Sequence, residues 1–188
     1  MKKLLVALGF TMAAMSAQAS LVFVAGGTTD PTDSFNDILS LAPPATFSYG
    51  TLSADVGDIV TFQNVSLKAE AGFINFFING EAMFQNKTND GTLSYMVTAS
   101  GPLSFSFVDG NSPPQTFSNG SSNIAVLQQS YGGYDGGFLL LLDDSGTGKD
   151  YDDHAVYVSA VPVPAALPLM ASALGVFGLS RRKSKKAA

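Results

Sequence analysis

Five aspartates fall within the eleven residues Asp143-Asp144-Ser145-Gly146-Thr147-Gly148-Lys149-Asp150-Tyr151-Asp152-Asp153. Carboxylates this close repel one another, and a hard divalent cation relieves the repulsion by taking several of their oxygens, with backbone carbonyls, as ligands. Asp143, Asp144, Asp150, Asp152 and Asp153 are therefore candidate ligands for calcium, the one cofactor the residues suggest. The spacing is not that of an EF-hand. With Asp143 at the first loop position, Gly148 falls at the sixth, but His154 stands where a bidentate glutamate belongs, and flanking helices are not expected. The plainer alternative is a solvated acidic turn that keeps a sheet edge from pairing with its neighbours.

Catalytic readings of the same residues fail on their partners. Asp144-Ser145-Gly146-Thr147 is similar to the active-site turn of retroviral-type aspartic proteases, which need two such carboxylates to share one proton. No second Asp-Ser-Gly or Asp-Thr-Gly occurs. A Ser-His-Asp hydrolase would have to use His154, the only histidine. It adjoins the acidic loop, no Gly-x-Ser-x-Gly elbow is present, and a surface position is expected for it. Gly132-Gly133 and Gly136-Gly137 precede a strand rather than a helix, so neither is a phosphate-binding loop. The chain has no cysteine, which excludes thiol chemistry and cysteine-ligated zinc. It reads as a non-enzymatic protein. Tyr131 and Tyr134 lie in the low-complexity stretch Ser130–Gly137. That stretch is either a plain surface connection or, with Tyr151, a set of rings that stack on a sugar.

The elements that must position these residues are strands. Phe138–Leu142 is an unbroken apolar run and Ala155–Ser159 its expected returning partner, which brings the ends of the acidic loop together. From Ala45 onward, short apolar runs are separated by Gly, Asn, Asp and Pro, the pattern of a sandwich rather than a βαβ sheet. Expected strands are Leu21–Val24 (ended by Gly26-Gly27), Ile59–Asn64, Val65–Ala71, Leu93–Thr98, Leu103–Val108 and Ile124–Gln128. Phe73–Ile78 and Glu81–Gln85 are expected to form a hairpin around Asn79-Gly80, because Asn-Gly supplies the positive φ of a type I′ turn. One short helix, carrying Phe35, Ile38 and Leu39, is expected before Pro43-Pro44. Most of the 14 phenylalanines fall on the alternating faces and are assigned to the core. The expected fold is mostly β: one antiparallel β-sandwich, jelly-roll-like, over residues 20–160.

Both ends read as processing signals. Residues 1–19 carry Lys2-Lys3, an apolar core and Ala17-Gln18-Ala19, a signal helix cleaved before Ser20 by signal peptidase. Residues 161–188 begin with Val161-Pro162-Val163-Pro164-Ala165. A transmembrane helix over about 167–180 follows, and then the basic cluster Arg181-Arg182-Lys183-Ser184-Lys185-Lys186. Five cations behind an apolar span hold that end in the cytoplasm. Between Ser20 and Val161 only Lys68, Lys87 and Lys149 oppose 15 acidic residues, a balance of −12. Such a domain repels phosphate, which excludes nucleic acid as a partner.

The proline motif, apolar span and basic cluster, in that order at the extreme end, resemble the PEP-CTERM class of bacterial sorting signals, most closely the VPLPA-CTERM variant. The Asp-rich hairpin is also similar to the terminal strand pair of many ectodomains of that class. Val163 departs from the leucine of the variant, and the paired prolines are kept. The resemblance implies that an exosortase recognises Val161–Ala165 and removes the span and the basic tail. It also implies an inner-membrane-anchored precursor that ends at the surface or in the extracellular matrix of a Gram-negative bacterium. The role implied is a structural or adhesive component of an exopolysaccharide biofilm or floc. The alternative role is a carbohydrate-binding, lectin-like module that uses calcium.

Overall fold

Burial alternates residue by residue where the sequence alternates. In Asp58–Asn64, the side chains of Asp58, Val60, Phe62 and Asn64 are buried and those between them are not. That period of two belongs to a strand with one covered face. The computed structural model describes residues 21–29, 47–65, 74–80, 82–87, 91–128, 136–144 and 149–162. Apart from Pro162 they belong to one compact unit, Ala19–Val161. Pro162 falls in a second unit, Met1–Gln18 with Pro162–Ala188, whose other residues lie outside the described ones. The expected signal segment, the helix around Phe35–Leu39, Tyr131, Tyr134 and the tail beyond Pro162 also lie outside them. No helix among the described residues is long and apolar enough to cross a membrane.

The described chain is mostly β and antiparallel. Its strands are β1 (Val22–Thr29), β2 (Phe47–Ala54), β3 (Asp58–Asn64), β4 (Phe76–Asn79), β5 (Ala82–Gln85) and β6 (Thr92–Met96). Next come β7 (Gly101–Pro102), β8 (Ser106–Val108), β9 (Thr116–Ser118), β10 (Ile124–Gln128), β11 (Phe138–Leu142) and β12 (His154–Pro162). The larger sheet runs β1-β2-β10-β11-β12-β3-β6, with β7 also paired to β2, and the smaller runs β5-β4-β8-β9.

A shared core joins the two sheets. Leu52, Val60, Phe62, Leu140, Leu142, Val156 and Val158 from the larger sheet pack against Phe77, Phe84, Phe105 and Phe107 from the smaller sheet and its approach. Phe62 and Phe77 meet with ring centroids 5.0 Å apart, and Phe77 also contacts Phe84 at 5.7 Å and Phe107 at 5.2 Å. Each such ring, fully buried, contributes about 2–3 kcal/mol. The unbroken run of β11 has a matching cause: Leu140 and Leu142 face this core. Leu139 and Leu141 face a second cluster with Phe47, Ala125, Tyr151, Ala155 and Tyr157. A central strand covered on both sides loses its alternation.

Several boundaries differ from expectation. β1 runs through Gly26-Gly27 instead of ending there. A bulge between Ala25 and Gly27 absorbs the irregularity, and the Tyr49 ring lies against both glycines, where a side chain on Gly27 would overlap its hydroxyl. The β4–β5 hairpin forms one residue later than Asn79-Gly80 predicts. Asn79 is itself in the ladder, paired with Ala82, and Gly80 follows it at φ 53°. Leu103, Phe105 and Phe107 are all buried as the alternation requires, yet only Ser106–Val108 pairs as a strand. β6 is shifted to Thr92–Met96, and β12 begins one residue earlier than expected and runs on through Val161 and Pro162.

Candidate metal centre

The acidic loop hangs from the ends of β11 and β12, where the ladder between them continues one step through Asp153 N–H donating to Leu142 O (3.2 Å). Asn123, just ahead of β10, holds Asp143 from the other side. Asp143 N–H donates to Asn123 O, and Asn123 Nδ2 donates to Asp143 O, both at 2.9 Å. Tyr151 fixes the return of the loop. Its backbone sits in the left-handed region at φ 57°, at a cost of about 1–2 kcal/mol for a non-glycine residue. Its ring is fully buried against Phe47 at 5.2 Å, and its hydroxyl donates to Ser122 O at 2.9 Å. A ring this enclosed cannot line a sugar groove, so the expectation that Tyr151 stacks on carbohydrate is corrected.

Three of the five aspartates converge. One carboxylate oxygen each from Asp143, Asp150 and Asp153 lies within 4.8 Å of the others. Ligands about 2.3–2.6 Å from one calcium ion are separated by up to about twice that distance, so these three fit a single coordination shell. All donors are hard oxygens, the set suited to calcium rather than to a soft metal. The alternative of a solvated acidic turn does not fit the loop's described ends: Asp143 is fully buried, Asp153 is nearly so and Asp152 is buried beside them. Lys149 supplies the one nearby cation among the described residues, with Nζ 3.4 Å from Asp143 Oδ2 and from Ser122 O, and over the Tyr151 ring.

Asp144 and Asp152 stand apart from the converging oxygens. Asp144 Oδ2 accepts from Asn75 Nδ2 at 2.7 Å, and its own N–H donates to Asp153 Oδ2 at 2.7 Å. Burial above all, then the charges of Asp144, Asp150 and Asp152, lift Asp153 from 3.8 to about 8 against the opposing hydrogen bond from Asp144 N–H. Without a second cation Asp153 therefore keeps its proton well above the usual carboxylate range; a bound divalent ion would displace it.

Asparagines that sequence reasoning missed tie this loop to the smaller sheet. Asn75 and Asn86 flank the β4–β5 hairpin, are fully buried and brace each other through Asn86 N–H to Asn75 O (3.1 Å) and Asn75 N–H to Asn86 Oδ1 (3.2 Å). Asn86 Nδ2 then reaches Asp153 O at 3.0 Å, while Asn75 reaches Asp144. Their one sequence signal is position: each sits just outside a strand, where a buried side-chain amide can satisfy backbone groups the ladder leaves open.

His154 is a core residue and not a surface one. As the first residue of β12 it shares a face with Val156 and Val158, and it is fully buried with Phe107 edge-on at 5.2 Å. Asn64 Nδ2 donates to Gln85 O, which leaves Asn64 Oδ1 to accept the Nε2–H of His154 at 3.0 Å. Burial pushes the imidazole down to about 3, so it stays neutral.

Of the expected sorting motif, Val161 and Pro162 end β12, with Val161 exposed; Val163, Pro164 and Ala165 lie outside the described residues. So do Ala17, Ala19, Ser20 and the basic residues of the tail. No protein-family model matches the chain, and comparison with curated proteins and with solved structures finds no match.

Proposed function

We propose that this chain is an exported structural or adhesive protein of a bacterial extracellular matrix, delivered through exosortase processing of its C-terminal tail. On this reading residues 1–19 are a cleaved signal helix and residues 20–160 form one jelly-roll-like sandwich. Residues 161–188 are the sorting signal, with its transmembrane helix near 167–180. A calcium ion held by Asp143, Asp150 and Asp153 replaces the proton on Asp153 and rigidifies the loop that leads into β12. Exopolysaccharide is the partner that a matrix role implies.

The observation that supports the reading is the order of parts at the C-terminus. The strand that returns from the acidic loop ends in Val161-Pro162, the first two residues of the proline motif, and the apolar span and five cations follow at once. Val161 and Pro162 are the last residues of β12, extended in backbone, and Pro162 has no N–H to carry a ladder further. An extended backbone is the form a processing protease binds.

Replacing Pro162 and Pro164 by alanine in the producing cells tests it. The variant is expected to stay in the inner-membrane fraction while the parent is released. Equal release of both contradicts the proposal.

A further inference from the structure

The outer edge of β1 has the chemistry of a strand-pairing surface. β1 stands at the end of the larger sheet and, among the described residues, pairs with β2 alone. Its outward N–H and C=O groups are complementary to another strand. Edges are ordinarily kept apart by lysines, prolines or inward charges. Leu21–Thr29 contains no charged residue and no proline, in a segment whose balance is −12. The one blunting feature is the bulge, and it falls at Ala25/Gly27, which leaves Leu21–Val24 regular.

That regular end is apolar on both faces. Val22 and Val24 are 47% and 60% exposed on one face. On the other, Leu21 and Phe23 border an open groove of about 420 Å³ with Ser48, Val126, Gln128 and Phe138. An added strand lays its side chains alternately over the two faces, so it must itself be uncharged and apolar on both.

We infer that this edge takes the same edge of a second copy of the chain, antiparallel about a two-fold axis, so that two larger sheets join into one. β1 is its own complement. Centred on Phe23, the pairing sets Val22 opposite Val24 of the second copy, a β-branched cross-strand pair, and no charge enters the junction despite the acidity of each copy. A cationic peptide has nothing on β1 to recognise. The inference is independent of the proposed export and sorting.

Sedimentation of the full chain in non-ionic detergent, compared with Val24→Lys and Val56→Lys, tests it. Val56 is an equally exposed valine (61%) in the turn between β2 and β3, not on β1 itself. The parent and Val56→Lys are expected to dimerise alike, and Val24→Lys to weaken the dimer by at least about 10-fold, since a lysine on an edge opposes pairing. Amide exchange on the unmodified chain gives an independent reading: protection of those amides of Leu21–Val24 that point away from β2, every second residue along the strand, should rise with protein concentration. A parent that is monomeric at about 100 µM, a Val24→Lys variant that associates as the parent does, or exchange at the outward amides that ignores concentration would each overturn the inference.

Discussion

Replacing Asp153 by asparagine should abolish the fall of stability between pH 6.5 and 8. Asp153 is lifted from 3.8 to about 8, so between those values the native chain holds a proton that the unfolded chain has released. Stability then falls as pH rises, by about 1.4 kcal/mol per unit. His154 acts with the opposite sign. It is lowered from 6.5 to about 3, so in that range the unfolded chain holds the extra proton and stability rises with pH by the same slope. The two slopes cancel from about pH 4 to 6.5, and only the Asp153 fall survives from 6.5 to 8. Rounding of both titrations and solvent screening at the loop rim reduce it to about 1 kcal/mol, or about 3–4 °C in melting temperature for a domain of this size. Asparagine matches the protonated acid in shape and still accepts the Asp144 N–H, so Asp153→Asn should be level from pH 6.5 to 8 and more stable than the parent at pH 8. Thermal unfolding of residues 20–162 in chelator reads this directly. With millimolar calcium the parent should gain most at pH 8, by about 2.7 kcal/mol once calcium reaches 100 times its Kd, and Asp153→Asn should gain little. A parent that is level from pH 6.5 to 8 in chelator, or a variant that falls with it, would refute the reasoning.

Two further substitutions test the frame. Asn119 holds β2 to the segment before β8 by accepting from Leu52 N–H and donating to Leu52 O and Leu103 O, all at 2.8–2.9 Å. Asn119→Ala should cost about 2–3 kcal/mol, seen as a lower urea midpoint with an unchanged slope. Phe77→Ala removes the ring at the centre of the core and should cost about 3–5 kcal/mol in the same titration; a loss below 1 kcal/mol would mean the sheets do not pack through it.

The sheets were legible because their residues alternate and the terminal hairpin is marked twice, by the apolar run Phe138–Leu142 and by the aspartates after it. The strand Ile124–Gln128 was legible to the residue as a short apolar run, buried on both faces from Ile124 to Val126. Short or interrupted strands were not. Gly101–Pro102 and Thr116–Ser118 are too brief for a period to show, and β1 continues through two glycines because of Tyr49, a residue more than twenty positions away. In the site, charge density pointed to all five aspartates alike and singled out neither the converging three, Asp143, Asp150 and Asp153, nor their depth. Burial of Asp143, Tyr151 and His154 depends on Asn123, Phe47 and Asn64, and such long-range contacts leave no local pattern in the chain.

The most direct measurement on the central claim is the intact mass of the protein recovered from the matrix of the cells that make it. The account predicts a chain that begins at Ser20 and ends within or just beyond Val161–Ala165, without Arg181–Ala188. A mature protein that retains the apolar span and the basic cluster would contradict exosortase sorting.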